Sequence, residues 1–187
     1  GWQLTKAAWI AKVHGWAAPV TLQPQYSLLV RGIEHEVVPA ALDQAVGLLP
    51  WSPLAGGWLS GKYSRDQAPT GATRLGENPE RGIEAYDRVG GQARTWDILA
   101  AVEDIAAGRG ASMPQVALAW LLARPMVSSV ILGARTTAQL RDNLGAAELR
   151  LSEEEMARLD SVSDPAAADY PYGGPGVEQR SRDLSGA

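Results

Sequence analysis

The sequence predicts an α/β fold built on a parallel sheet, and three observations carry that expectation. Short apolar runs at 20–22, 47–50 and 127–132 read as buried strands. Stretches with apolar residues three and four apart separate them, as amphipathic helices would. Capping signals and glycines punctuate the change from one period to the other. Strands alternating with helices imply parallel pairing through right-handed crossovers.

The first helix is expected over 4–14, where Leu4, Ala7, Ala8 and Ala11 share a face. Pro19 punctuates, and the strand 20–22 ends at Gln23-Pro24-Gln25-Tyr26. A second helix, 33–46, carries Val37, Val38, Ala41, Leu42 and Ala45, and leads to the strand 47–50. That strand runs into "LLPWSPLAGGWLSGKY", a glycine-rich, hydroxyl-bearing loop with a single lysine. Residues 64–94 are long, irregular and rich in Gly, Pro and charge. Their arginines (65, 74, 81, 88 and 94) are matched by acids at 66, 77, 80, 84 and 87, so the segment is no basic patch. A connection this long inside a compact domain is a working lid or a disordered insertion.

Residues 96–107 return to helix, with Ile98, Leu99, Val102, Ile105 and Ala106 on one face and Gly108 and Gly110 at the end. Ser112-x-x-Gln115, with Pro114 in the first turn, is a capping box opening a helix to 123. Its stripe is Val116, Ala119, Trp120 and Ala123, and Pro125 stops it before the strand 127–132. Thr136-x-x-Gln139 opens a helix to 144, and Ser152-x-x-Glu155 opens another bearing Met156, Leu159 and Val162. From 164 onward the composition turns to Ala, Pro, Gly and Tyr, including "DYPYGGPG", and reads as a loosely held tail. Three strands are few for a complete parallel fold.

Composition narrows the function classes. The 187 residues are 45% apolar, enough for one domain with a sizeable core. There is no cysteine, which excludes disulfides and thiolate metal sites and fits a reducing, cytoplasmic setting. A net charge of −4 argues against general nucleic-acid or anionic-membrane binding. No apolar run reaches transmembrane length, and residues 1–10 lack a signal-peptide layout. His14 and His35 sit in no metal-ligand spacing, so no metal is expected; neither G-x-S-x-G nor G-x-G-x-x-G occurs. The chain begins Gly-Trp-Gln, without Met, as a piece of a longer protein would.

In parallel α/β folds chemistry gathers at the C-terminal ends of strands. The first end offers the amide of Gln23, which suits either another amide or the backbone. The second offers the flat ring of Trp51, the Ser52 hydroxyl, backbone N–H groups freed by glycines, and Lys62 to neutralise an anion. The same residues also suit a tight turn around a core tryptophan. The third offers Gly133, Arg135 and a helix N-terminus capped by Thr136, a ready anion site. Gln139 serves the cap or a ligand, and Asn143 lies one turn further on the same face. Stacking, phosphate cradling and amide pairing on consecutive strand ends together suit a dinucleotide.

Three stretches carry a family resemblance: "LQPQYSLLVRGIEHEVVPA", "GLLPWSPLAGGWLSGKY" and "SSVILGARTTAQLRDNLGAAELRLSEEE". From residue 2 to 163 the chain closely resembles the aldo-keto reductase superfamily. The branch is that of bacterial reductases and potassium-channel β-subunits, with Trp-Ser-Pro-Leu where other branches have Tyr-Ser-Pro-Leu. The resemblance implies a (β/α)8 TIM barrel that binds NADP(H) and reduces aldehydes and ketones by hydride transfer. Residues 1–163 would then be strands 6–8 of that barrel with their helices, 64–94 the lid, and 164–187 a tail.

By the same resemblance Gln23 binds the nicotinamide carboxamide and Trp51 stacks on the nicotinamide ring. Ser52, Leu54, Gly56 and Lys62 follow the pyrophosphate, with Arg74 of the lid as a further phosphate contact. Gly133, Arg135, Gln139 and Asn143 resemble the site for the adenine and the 2′-phosphate. Some branches carry Lys at the position of Gly133, which leaves the 2′-phosphate to Arg135. The family's catalytic Asp, Tyr, Lys and His precede the sixth strand, so none is expected within these residues, and the chain alone is expected not to reduce carbonyls. It would need the other half-barrel and, in the full protein, a small carbonyl substrate. The alternative is a non-catalytic NADP(H)-binding or channel-β-subunit-like interaction module.

Overall fold

The computed structural model describes residues 1–67, 69–71, 73–80 and 84–165. Most of the tail expected from 164, including "DYPYGGPG", lies outside the described residues. The fold is α/β with mostly helices and few strands: helix α1 (Trp2–His14), strand β1 (Thr21–Leu22), α2 (Val37–Asp43), strand β2 (Gly47–Leu48), then α3 (Arg74–Glu77), α4 (Tyr86–Gly90), α5 (Ala93–Arg109), α6 (Met113–Leu122), α7 (Thr137–Leu144) and α8 (Glu153–Val162).

The strands pair in parallel, with Thr21 opposite Gly47 and Leu22 opposite Leu48. Hydrogen bonding between the two segments continues beyond the strands, with Leu49 N–H donating to Leu22 O at 2.8 Å and Trp51 N–H to Pro24 O at 3.0 Å. The expected third strand is a correction. Residues 126–131 run parallel to β2, with Ser128 N–H donating to Leu48 O at 2.9 Å and Ile131 N–H to Pro50 O at 2.9 Å. Only the Leu48–Val127 pair forms a regular bridge, so no third strand is assigned there.

The expected helix 33–46 is also corrected. Pro39 cannot donate to the carbonyl four residues back, so the chain makes a 3-10 turn at Gly32–Glu34 and a new helix begins at Val37. It ends at Asp43, and Ala45 just beyond takes the left-handed φ of 53° usual for glycine, while the Val46 N–H reaches back to Ala41 O at 2.8 Å. Among the described residues, the segment 64–94 expected as a lid contains α3 and α4, and Arg94 already belongs to α5. Both strong capping boxes form, Ser112 with Gln115 and Ser152 with Glu155. At Thr136 half the box forms: its hydroxyl accepts from Gln139 N–H, but the Gln139 carbonyl accepts from Arg135 N–H.

The main core joins α5, α6 and α8 to the loop after β2, around Trp58, Leu59, Ile98, Val102, Trp120 and Leu159. A smaller cluster, Ala41, Val46 and Leu48, packs with Leu4 and Val127 and seats α1 on α2 beside the sheet. Helix α1 is apolar on two sides. Ala8 and Ala11 are buried, whereas Trp2, Trp9 and Val13 form a second stripe that is 67%, 55% and 72% exposed. Trp16 and Val20 extend that exposed apolar surface toward β1.

A charged cluster locks the segment after β1 onto α6 and α8. Arg31, 8% exposed, donates to both oxygens of Glu34 at 2.8 Å, to Asp160 O at 2.9 Å and to Ser163 Oγ at 2.8 Å. Arg124 donates to Asp160 at 2.7 and 2.9 Å, and both guanidinium groups stand over the Trp120 ring. The Tyr26 hydroxyl donates to Glu34 at 2.6 Å.

Burial, then the hydrogen bond to Glu34 and its negative charge, push the Tyr26 phenol far above its ordinary value of 10.0, outweighing the nearby arginines. A raised folded value means that its stabilising share is complete below the unfolded phenol's titration and is lost as pH rises beyond it. Unfolding free energy from denaturant melts is therefore expected to fall above about pH 10, by about 1.4 kcal/mol per pH unit at most from this group. In Tyr26→Phe the alkaline loss is expected to be smaller; an identical loss would remove Tyr26 as its source.

Candidate functional site

The loop between β2 and α3 is where the backbone departs furthest from regular structure. Ser52 and Ala55 hold left-handed φ of 52° and 47°, and Gly56 and Gly57 follow at 69° and 103°. The non-glycine positions cost energy there, so packing has to hold them. That packing is Trp58, fully buried, with Tyr63 and Trp96 edge-on at 5.0 and 5.7 Å and Tyr86 stacked at 5.5 Å. Its indole N–H donates to Glu84 O at 3.0 Å. The Tyr63 hydroxyl donates to Gly56 O at 3.3 Å and accepts from Leu75 N–H at 3.4 Å, tying the loop to α3.

Held this way, the loop forms one wall of a cleft of about 780 Å³, within the size range of cofactor sites. Trp51, Ser52, Leu54, Gly56 and Lys62 line that wall, and Arg74 of α3 crosses the mouth. Gly133, Arg135, Gln139 and Asn143 line the cleft from the segment after 131, with Ser112, Met113 and Pro114 from the start of α6. Gln23 is the sequence-predicted site residue outside this lining. It stands exposed at the end of β1, next to Pro24, whose carbonyl accepts from Trp51 N–H at 3.0 Å.

Trp51 is 39% exposed, so its ring is not spent on the core. Asn143 differs: it is 5% exposed, lines the cleft, and its side chain makes no hydrogen bond to a described residue. An amide that reaches a cleft is the kind of group a ligand can meet.

Two of the cations at the cleft are engaged by carboxylates that sequence reading missed. Arg135 donates to Glu77 at 2.8 Å, a pair about half exposed on both sides, and the Glu77 bond and charge raise the Arg135 guanidinium further above its ordinary value. Arg74 lies 3.6 Å from Glu84, which is 7% exposed. Asp142 was missed as well. It accepts from Ser112 Oγ at 2.7 Å and Gln115 Nε2 at 3.3 Å, so the cap of α6 also anchors α7 under the cleft. Its place beside Asn143 on α7 was the available signal; Glu77 had none, because Arg135 is 58 residues away, and Glu84 also accepts from Ser52, 32 residues away.

A cleft that takes its lining from the segments after β2 and after residues 126–131 lies where α/β folds gather their sites, at strand ends. The chain belongs to the aldo/keto reductase family, whose model it matches over residues 2–164. It is 35% identical to an uncharacterized oxidoreductase of Bacillus subtilis over 91% of this chain and 48% of that protein. It is 30% identical to versiconal hemiacetal acetate reductase of Aspergillus parasiticus, over 89% of this chain and 46% of the relative. With a protein of Arabidopsis thaliana named "Probable voltage-gated potassium channel subunit beta" it shares 32% identity, over 79% of this chain and 44% of that protein. The chain thus spans about half the length of the relatives it matches.

Gly56 is the residue on which the near wall depends most narrowly. Its φ is +69°, and a Cβ there would lie 2.4 Å from Glu84 Oε2. Gly56→Ala is expected to cost about 1–3 kcal/mol through backbone strain alone, and more through the displaced carboxylate. Thermal unfolding measures this; an unchanged melting temperature would show that the loop adapts freely.

Proposed function

We propose that the cleft binds NADP(H), lying from Trp51 to Asn143, and that this chain supplies the cofactor-holding part of an aldo-keto reductase acting on aldehydes or ketones. The single observation that carries the reading is convergence: ten of the eleven residues singled out from sequence line one cleft. In this reading residues 1–163 are the last three strands of a (β/α)8 barrel with their helices, with 64–94 as the lid and the remainder as a tail. The extended run 126–131 is the counterpart of the third of those strands.

The donor set fits such a group. Trp51 offers a half-exposed ring on which a nicotinamide can stack, which would leave one ring face for reaction. Gln23, at the adjacent strand end, would pair with the carboxamide. Backbone N–H groups of the loop after Ser52, with Lys62 and Arg74, would balance the pyrophosphate. Arg135 would take a 2′-phosphate once it leaves Glu77, and Asn143 and Gln139 would hold the adenine end. The bound cofactor supplies a hydride; the proton for the nascent alkoxide would come from the half that carries the family's Asp, Tyr, Lys and His.

The exposed stripe Trp2, Trp9, Val13 with Trp16 and Val20 supports a need for that half. A helix apolar on two sides is suited to burial on both. A second reading, a non-catalytic NADP(H)-binding or channel-β-subunit-like module, draws on the Arabidopsis relative. The two readings separate on whether the reading frame continues upstream into a half bearing the four catalytic residues.

Titration with NADPH is expected to quench tryptophan fluorescence, and Trp51→Ala to remove most of the quenching and weaken binding by about 1–3 kcal/mol. Arg135→Met is expected to weaken NADPH but not NADH. Absence of quenching and of binding by calorimetry in the unaltered chain would overturn the reading.

A further inference from the structure

Glu84 touches the near wall of the cleft from behind and is not among the residues that line it. Its carboxylate Oε1 accepts from the Ser52 hydroxyl, and Oε2 lies 3.6 Å from the Arg74 guanidinium. Its backbone carbonyl accepts from Trp58 Nε1 at 3.0 Å, and its carboxylate fills the space in front of Gly56. One residue of the lid segment therefore meets the strained serine, the left-handed glycine, the buried anchor of the loop and the cation at the cleft mouth.

Two physical requirements meet at this carboxylate. A buried anion has to be partnered, and Ser52 and Arg74 are its partners. Ser52, at a φ of 52°, has to be held in a conformation that costs energy, and its side-chain bond to Glu84 holds it. Arg74 remains 47% exposed and lines the cleft while lying 3.6 Å from Glu84, which leaves it N–H groups beyond the one near the carboxylate. A guanidinium has donors enough for a carboxylate and a phosphate at once.

We propose that Glu84 is a positioning residue for the phosphate-binding wall. It fixes the Ser52 loop and aims Arg74, and through them it strengthens binding of the pyrophosphate without contacting it. This inference rests on the nicotinamide-dinucleotide reading of the cleft. Its sign is what makes it testable. A carboxylate this close to an anion site repels the anion through space, so a Glu84 with no positioning role would weaken nucleotide binding, and its neutralisation would tighten it.

The test uses the full 187-residue chain. Glu84→Gln keeps the volume and an oxygen for Ser52 but removes the charge that holds Arg74. NADPH and adenosine 2′,5′-bisphosphate, which lacks the pyrophosphate, are titrated calorimetrically into the unaltered chain, Glu84→Gln, Arg74→Met and the double variant. We expect NADPH to bind about tenfold more weakly to Glu84→Gln, the scale of one charge-assisted contact. The double variant is expected to bind no more weakly than Arg74→Met, and the bisphosphate to bind Glu84→Gln as it binds the unaltered chain.

NADPH affinity in Glu84→Gln that is unchanged or tighter overturns the inference, as do additive losses in the double variant or an equal loss for the bisphosphate. Should Glu84→Gln fail to fold by circular dichroism, Glu84→Asp keeps the charge but withdraws it by one methylene. It is expected to lose about threefold for NADPH alone, and no loss overturns the inference. If the unaltered chain binds no NADPH, the underlying reading fails and this one with it; binding there with unaffected variants removes this inference alone.

Discussion

The burial of Trp58 is the constraint on which the rest of the cleft depends. Its ring is fully enclosed by Tyr63, Tyr86 and Trp96, and its N–H is satisfied by Glu84 O. A buried indole of this size contributes several kcal/mol, enough to hold neighbouring residues in left-handed conformations they would otherwise leave. Because Tyr86 belongs to α4 and Trp96 to α5, the same contact fastens the loop after β2 to both the lid and the main core. The near wall is therefore rigid for a reason that lies behind it.

Electrostatics sets a second layer on that frame. Lys62, Arg74 and Arg135 bring three cations to one cleft, yet Glu84 and Glu77 each take one of the arginines. Both acids come from the segment between the loop after β2 and α5, so ionic contacts at the cleft add to the apolar packing of Leu75 and Tyr86 that holds this segment on the core. Such contacts, half exposed at Arg135, are weak enough to be exchanged for a phosphate. The charge cluster around Arg31 behaves differently: buried and bonded on several sides, it joins α6 and α8 to the sheet and faces away from this exchange.

Much of this was readable along the chain. Capping boxes at Ser112 and Ser152 are local, closing within four residues, and both form as the sequence predicts. The apolar stripes of α5 and α6 and the parallel pairing of the first two strands were equally legible. Misreadings arose where a single residue overrode a period. Pro39 divided the expected helix 33–46, and Pro50, with no N–H, has nothing to donate to a neighbouring strand. The candidate site was legible on its two walls because the residues of each lie close together in sequence. Its carboxylates were not, because an acid in a charged, irregular segment looks like any solvated side chain.

The sequence by itself determined the order of elements, the caps, the family, and the residue types offered at each strand end, because these follow from local spacing and composition. Tertiary structure alone decided that Trp58 and not Trp51 is the buried ring, that Gln23 stands apart from the cleft lining, and that Asn143, only 5% exposed, lines it. It also decided which acids meet which arginines. Burial and pairing are properties of residues distant in the chain that folding brings together, and no local pattern encodes the distance between Glu84 and Ser52.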